Sequence, residues 1–288
     1  MLVDESEAGM IRLFACDLDG TLLNESHECD EVIDSAIEAV LNDGRFFTIA
    51  TGRTYDNVAF IKKHKGAYAI CLNGALCVSD KGEVIKQETI DKAVLSDLID
   101  HFENLNIEYM SNEMTYVMTS EEEFTKKVLA FSEMSQIEKE HWLYRYLKSR
   151  EGHMVYEATK EMILSDDILK IGWHISSIDE VQDFEKYLKE HEDDLTNAPC
   201  NNRLYEITKA GVNKGKTIKW LSKRLGVKDE EVAVYGDGGN DLEMLKMFEN
   251  SYAPSDAKEE AKECAKYILG PYGEYSVAKH LIKTVKEN

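Results

Sequence analysis

The chain has 288 residues, 43% of them apolar, and carries 34 Lys and Arg against 55 Asp and Glu, a formal net charge of −21. That apolar fraction fills a core and excludes a disordered chain, and the acidic excess repels phosphate backbones and so argues against a nucleic-acid partner. No apolar run approaches the ~20 residues that span a bilayer, so no membrane partner is expected.

The acidic start MLVDESEAGM lacks the basic-then-apolar pattern of a signal peptide, and residues 1–9 read as a disordered tail. Residues 11–16 read as a strand running into DLDGT (17–21). Val32, Ile33, Ala36, Ile37, Val40 and Leu41 recur at helical spacing, and Gly44 ends that helix. A second apolar strand, 46–50, stops at Thr51-Gly52-Arg53, and a helix is expected over 55–63. A third strand, 68–72, stops at Asn73-Gly74, and 76–79 with 84–86 reads as a hairpin around Asp80-Lys81-Gly82. The stretch 86–206 is charge-rich and mixed, with helices expected near 91–105, 121–134 and 179–190 and strands near 115–119, 168–175 and 203–208. After Gly211 the first style returns. A helix is expected over 214–225, then a strand over 232–235 that ends in GDGGND (236–241). Helices near 241–248, 256–265 and 275–286, with a short segment at 251–253, complete the chain. Six cysteines stand without CxxC spacing, which signals neither a zinc knuckle nor a dithiol motif and fits a reducing, cytoplasmic compartment.

Strands apolar throughout and separated by helices predict an α/β fold, a Rossmann-like parallel sheet covered on both faces. Its core comes from 1–85 and 207–288, and 86–206 forms an inserted α+β domain. Ligands of such sheets bind at the carboxyl ends of the strands. Those ends carry Asp17 and Asp19, Thr51, Asn73 and Asp237, with Asp241 close behind. Asp17 and Asp19, two apart in an extended segment, would face the same way and repel unless a hard cation such as Mg²⁺ stands beside them. Thr51 offers a hydroxyl beside the amide of Gly52, and Lys214 a point charge at a helix start. Acids for a metal, a hydroxyl, amides and a lysine together suit a phosphoryl group. GDGGND is neither a calcium loop, since the DxDxDG alternation is missing, nor a dinucleotide fingerprint, since position 241 is Asp.

DLDGT (17–21), the strand ending in TGR (51–53), NKG (213–215) and GDGGND (236–241) together resemble the four signature motifs of the haloacid dehalogenase superfamily. The position of the insert resembles the Cof-type phosphatases with a C2 cap, subclass IIB. The resemblance implies a Mg²⁺-dependent phosphatase acting on small phosphorylated metabolites, sugar phosphates or phosphorylated cofactors, through an aspartyl-phosphate. Asp17 would be the nucleophile and Asp19 the acid and then the base. Asp17, the Asp19 carbonyl, Asp237 and Asp241 would hold the metal, and Thr51 and Lys214 would grip the phosphoryl oxygens. Arg53, Asn73 and Asn240 each carry two readings: substrate contacts, or a salt bridge, a turn residue and a helix cap respectively. The insert would exclude water from the intermediate, with Trp142, Tyr144, Tyr146 and Trp173 as cavity or core residues. Tyr252-Ala253-Pro254-Ser255 stands where such phosphatases often carry Asn-Ala, so no substrate role is assigned there. The alternatives are a phosphomutase of the same superfamily, or a non-catalytic protein that binds phosphorylated metabolites. Oligomeric state is not legible in the sequence.

Overall fold

The computed structural model describes residues 10–130, 144, 146–148, 150–175, 178–199 and 204–287. Two compact units result. One holds the chain up to Gly52, Ala59–Lys86 and the chain from Asn213; the other holds Arg53–Val58 and Gln87–Val212.

The first unit is built on an eight-stranded sheet. Numbered in chain order, its strands are β1 (Leu13–Cys16), β2 (Phe46–Ala50), β3 (Ala67–Cys71), β4 (Leu76–Val78), β5 (Val84–Gln87), β12 (Val232–Tyr235), β13 (Asn250–Ala253) and β14 (Tyr267–Ile268). The order across the sheet is β14-β13-β12-β1-β2-β3-β4-β5. The pairings from β14 through β3 are parallel, and β4 runs antiparallel to β3. Leu13, Ala15, Ile70, Val232 and Val234 pack with Ile218, Leu221, Met244 and Leu245. Phe14, Phe47 and Ile49 are also fully buried, and helices Glu31–Asn42 and Ser276–Glu287 pack on each other. Apolar contact on both faces explains why these strands carry no polar alternation.

Between β1 and β12 the strand order reverses direction in the chain: β2 and β3 go one way from β1, β13 and β14 the other way from β12. Such a switch point opens a crevice at the carboxyl ends of the two strands. The residues that follow β1 and β12 are therefore neighbours by topology.

The second unit has a six-stranded sheet, β10-β11-β9-β6-β7-β8. Its strands are β6 (Ile107–Met110), β7 (Thr115–Tyr116), β8 (Met154–Val155), β9 (Lys170–His174), β10 (Leu195–Asn197) and β11 (Leu204–Lys209). Ile107, Tyr109, Ile171, Trp173, Tyr205 and Ile207 join Leu98 and Phe184 in one apolar cluster. The alternate residues Glu108, Lys170 and Glu206 are buried too. Lys170 pairs with Glu206, and Arg150 and Tyr146 with Glu108, as buried charge requires.

Some local expectations are corrected. Residues 55–63 form no regular α-helix: Asp56–Lys63 is a 3₁₀ segment broken at Val58, whose φ of −124° is non-helical. The return to the first unit lies after Val212, not at 207, because β11 pairs with β9 and β10 through Lys209. β6, β8, β10, β14 and helix Lys160–Ser165 are short elements that periodicity alone did not signal. Trp173 is core, its ring centroid 4.7 Å from that of Phe184; Tyr144 is 61% exposed. Trp142, Cys200 and the tail 1–9 lie outside the described residues. Among the described residues Cys16, Cys29, Cys71, Cys77 and Cys264 are in the reduced form. Among the described residues no helix is long and apolar enough to cross a membrane.

Candidate active site

The carboxyl ends of β1 and β12 carry the first cluster. The amide of Asp17 donates to the Tyr235 carbonyl at 2.9 Å, which locks the two strand ends together. Lys214 Nζ then lies 2.6 Å from Asp17 Oδ1 and 2.7 Å from Asp241 Oδ1. Asp17, Asp241 and Lys214 are 6%, 0% and 1% exposed. Lys214 is the first residue of helix Lys214–Arg224, whose cap is Asn213, accepting from the Lys216 amide. A cation at a helix N-terminus opposes the helix dipole, so the two carboxylates, not the helix, account for its place.

Asp237 and Asp241 are held by the turn that joins β12 to helix Leu242–Met247. Asp241 Oδ2 accepts from the amides of Asp237 and Gly238 at 3.0 and 2.9 Å. Asp237 Oδ1 accepts from the Thr21 hydroxyl at 2.8 Å. Gly20, between the two loops, has φ +78°, and a Cβ there would stand 2.6 Å from Asp237 Oδ2. Only glycine lets the β1 loop pass this close to the acidic turn.

Carboxylate oxygens of Asp17, Asp237 and Asp241 all lie within 4.8 Å of one another. Burial pushes Asp17 well above the usual carboxylate range; Lys214 pulls it down, while Asp241 and Asp237 add to the rise. Burial and the Asp241 charge push Asp237 up to about 6. Burial works to lower Lys214, but Asp17 and Asp241 overcome it and raise the ammonium above its ordinary value. One ammonium thus stands among two buried acids and one half-buried acid. A hard divalent cation fits this all-oxygen set and would relieve the remaining repulsion.

Asp19 does not share that environment, contrary to the expectation from its i, i+2 spacing. The chain leaves the extended conformation after Asp17 and turns through Leu18–Leu22. The Asp19 carboxylate is 42% exposed and lies 2.8 Å from His27 Nδ1. Its side chain is therefore absent from the trio of carboxylates above.

The second group lies at the ends of β2 and β3. Thr51 and Asn73 are 1% and 2% exposed, and the Asn73 amide donates to the Thr51 carbonyl at 3.0 Å. Asn73 adopts the left-handed conformation, φ 56°, that asparagine tolerates. Gly74 follows with φ +100°, and a Cβ there would meet the Asn213 carbonyl at 2.5 Å. The Thr217 hydroxyl donates to the Gly74 carbonyl at 2.8 Å. This contact seats the β3 turn on the helix that carries Lys214. Asn240 Nδ2 donates to Asn73 Oδ1 at 3.1 Å. It does not cap the next helix, where Asp241 is the cap residue. Gly52, two residues after β2, closes that stretch of the first unit, whereas Arg53 begins the segment that groups with the second.

The sequence reading missed Thr21, Thr217 and His27. Thr21 had a signal, since it sits four residues after Asp17 in the same motif; a hydroxyl on a helix flank and a histidine in a polar loop had none.

The model of the haloacid dehalogenase-like hydrolase family matches residues 14–281. The chain is 26% identical over 285 residues to the phosphatase YwpJ of Bacillus subtilis, covering 95% of this chain and 99% of that protein. It is 24% identical over 283 residues to the 5-amino-6-(5-phospho-D-ribitylamino)uracil phosphatase YbjI of Escherichia coli, covering 96% and 97%. A solved haloacid dehalogenase-like hydrolase from B. subtilis superposes with a TM-score of 0.80 at 25% identity, over 94% of this chain and 99% of that one.

Proposed function

Since this chain belongs to the haloacid dehalogenase-like hydrolase family and is a phosphatase, we propose that it hydrolyses small phosphorylated metabolites, with Mg²⁺, through an aspartyl-phosphate on Asp17. The observation that carries this reading is the ammonium of Lys214 held between Asp17 and Asp241 at 2.6 and 2.7 Å. Its charge opposes the rise that burial and the neighbouring acids impose on Asp17, and it sets a fixed positive charge beside the carboxylate that attacks.

Asp17 attacks phosphorus in line, and the bond from phosphorus to the ester oxygen breaks as the new one forms. Asp19 gives that leaving oxygen its proton, then takes a proton from the water that cleaves the aspartyl-phosphate. Its exposure, with His27 beside it, suits a group that exchanges protons at the surface of the site. Lys214 and the Thr51 hydroxyl donate to the phosphoryl oxygens as charge shifts in the transition state. Asn240, Asn73 and the Gly52 amide extend that donor set, and Arg53 contacts the substrate. Asp17, Asp237, Asp241 and the Asp19 carbonyl would hold the cation, which would supply positive charge against the repulsion between Asp17 and the anionic ester. The inserted domain selects among leaving groups. The curated relatives, one of them named for a phosphorylated ribitylaminouracil, support sugar phosphates and phosphorylated cofactors as the substrate class.

The test is phosphate release from a panel of about a hundred phosphate esters, with and without Mg²⁺. Turnover lost in both Asp17→Asn and EDTA-treated protein supports the reading. Isomerised sugar phosphate without free phosphate overturns hydrolysis in favour of a mutase. No release from any ester overturns catalysis on small metabolites.

A further inference from the structure

Outside the active site, a second group of ligating side chains converges in the first unit. Cys29 precedes helix Glu31–Asn42, Asp34 lies in the first turn of that helix, and His64 follows the 3₁₀ segment Asp56–Lys63. Cys29 Sγ and His64 Nε2 each lie 3.0 Å from the same oxygen, Asp34 Oδ1. The three ligand atoms are within 4.8 Å of one another. We propose that Cys29, Asp34 and His64 form a second cation site, separate from the acidic cluster, that takes a thiophilic divalent ion of the zinc class.

Donor type separates the two sites. Asp17, Asp237 and Asp241 offer only oxygen, which suits a hard ion; a thiolate and an imidazole with one carboxylate select zinc over magnesium. The geometry is close to what such an ion needs. Bonds of about 2.0–2.3 Å in a tetrahedron put neighbouring ligand atoms about 3.3–3.6 Å apart. The pairs at 3.0 Å need to open by only a few tenths of an ångström, and the site stands where two protons now bridge to Asp34. Cys29 and Asp34 are half-buried while His64 is 4% exposed, so solvent reaches two of the three ligands.

Lys63 does not block the site. Its Nζ is 2.5 Å from the other oxygen, Asp34 Oδ2, and its side chain is half-exposed, free to stay there or swing away. Binding exchanges the Cys29 thiol proton, which leaves to solvent, for a metal–sulfur bond. The imidazole keeps its one proton, moved from Nε2 to Nδ1, so one proton is released per ion. His64 Nδ1 is buried without a hydrogen-bond partner among the described residues. Histidines in zinc sites usually have such a partner, and lacking it weakens binding about 10–100-fold. Without the ion, burial and Asp34 push the Cys29 thiol up, which makes it a poor nucleophile and disfavours a redox role.

The test uses the full chain, reduced, stripped with EDTA and kept in excess Mg²⁺ so that the oxygen cluster is filled. Titration with Co²⁺ is expected to give a sulfur-to-cobalt charge-transfer band that saturates at one ion per chain and is displaced by Zn²⁺. Cys29→Ser removes the band; Asp34→Asn, which keeps the thiol, weakens Co²⁺ binding about 10-fold or more. Zn²⁺ raises the melting temperature of the parent chain and not of Cys29→Ser. Absence of the band, or a band that survives Cys29→Ser, overturns the proposal.

Discussion

Lys214 Nζ stands 2.6 Å from Asp17 Oδ1, with the lysine side chain 0% and the aspartate side chain 9% exposed. Removing the ammonium leaves Asp17 and Asp241 as uncompensated buried acids, and breaking such a pair costs about 3–5 kcal/mol. We expect Lys214→Met to lose stability in urea by that order, and to lose phosphate release by about 10²–10³-fold, as for other transition-state donors. Unchanged stability with unchanged turnover would show that the bridge is dispensable.

Gly20→Ala tests the close passage of the two loops. The new methyl would meet Asp237 Oδ2 at 2.6 Å on a backbone with φ +78°. Backbone strain of this kind costs about 1–3 kcal/mol, and Asp237 must move. The expected result is a lower Tm together with a rise in the Mg²⁺ concentration needed for half-maximal turnover. A variant with the parent's Mg²⁺ dependence would show that Asp237 is not held by this contact.

The raised acids make stabilisation by Mg²⁺ depend on pH. Asp237 rises from 3.8 to about 6 in the folded chain, so the metal-free native state binds more protons than the unfolded chain between those values. Its contribution to stability is present below about 3.8 and lost as pH rises through about 6; Asp17 acts in the same direction. Asp30 and Asp34 are lowered, and their contributions run the opposite way, so the Mg²⁺-dependent difference is the clean quantity. The Tm gain from saturating Mg²⁺ should be larger at about pH 7 than at about pH 5, one unit either side of the Asp237 value. A gain that is equal at both, or larger at pH 5, contradicts the assignment.

Asp30 joins three segments near the proposed second cation site. Its Oδ1 accepts from the amides of Val32 and Ile33, and its Oδ2 from Tyr275 Oη at 2.7 Å and Asn24 at 2.9 Å. Loss of a helix cap costs about 1 kcal/mol. Asp30→Ala should lower the Tm by a few degrees, about 2–4 °C for a chain of this size, with turnover at room temperature retained. Tyr275→Phe, which removes one of the four donors, should give a smaller fall.

Local signals carried far at the strand ends. An apolar strand that stops at DLDG, TGR, NG or GDGG is readable because burial on both faces and the polar end are properties of consecutive residues. The same logic failed where elements are short. β8, with two residues, and β10, with three, exist because β7 and β11 pair with them. Asp19 stands apart from that trio for a related reason. Its i, i+2 relation to Asp17 holds only in extended chain, and the strand ends at Cys16 with the turn Leu18–Leu22 close behind.

Consecutive residues alone specify which groups sit at the carboxyl edge: acids after β1 and β12, a hydroxyl after β2, an amide after β3, a lysine opening a helix. Which of them meet follows from the assembled sheet. Residues 17, 214 and 241 come together because the sheet reverses its order between β1 and β12, and Asn240 turns to Asn73 rather than to its own helix. The physical reason is range. Burial patterns and turn preferences act over a few neighbouring residues, whereas the pairing of charges is a contact energy between segments that the chain brings together only when the whole sheet has formed.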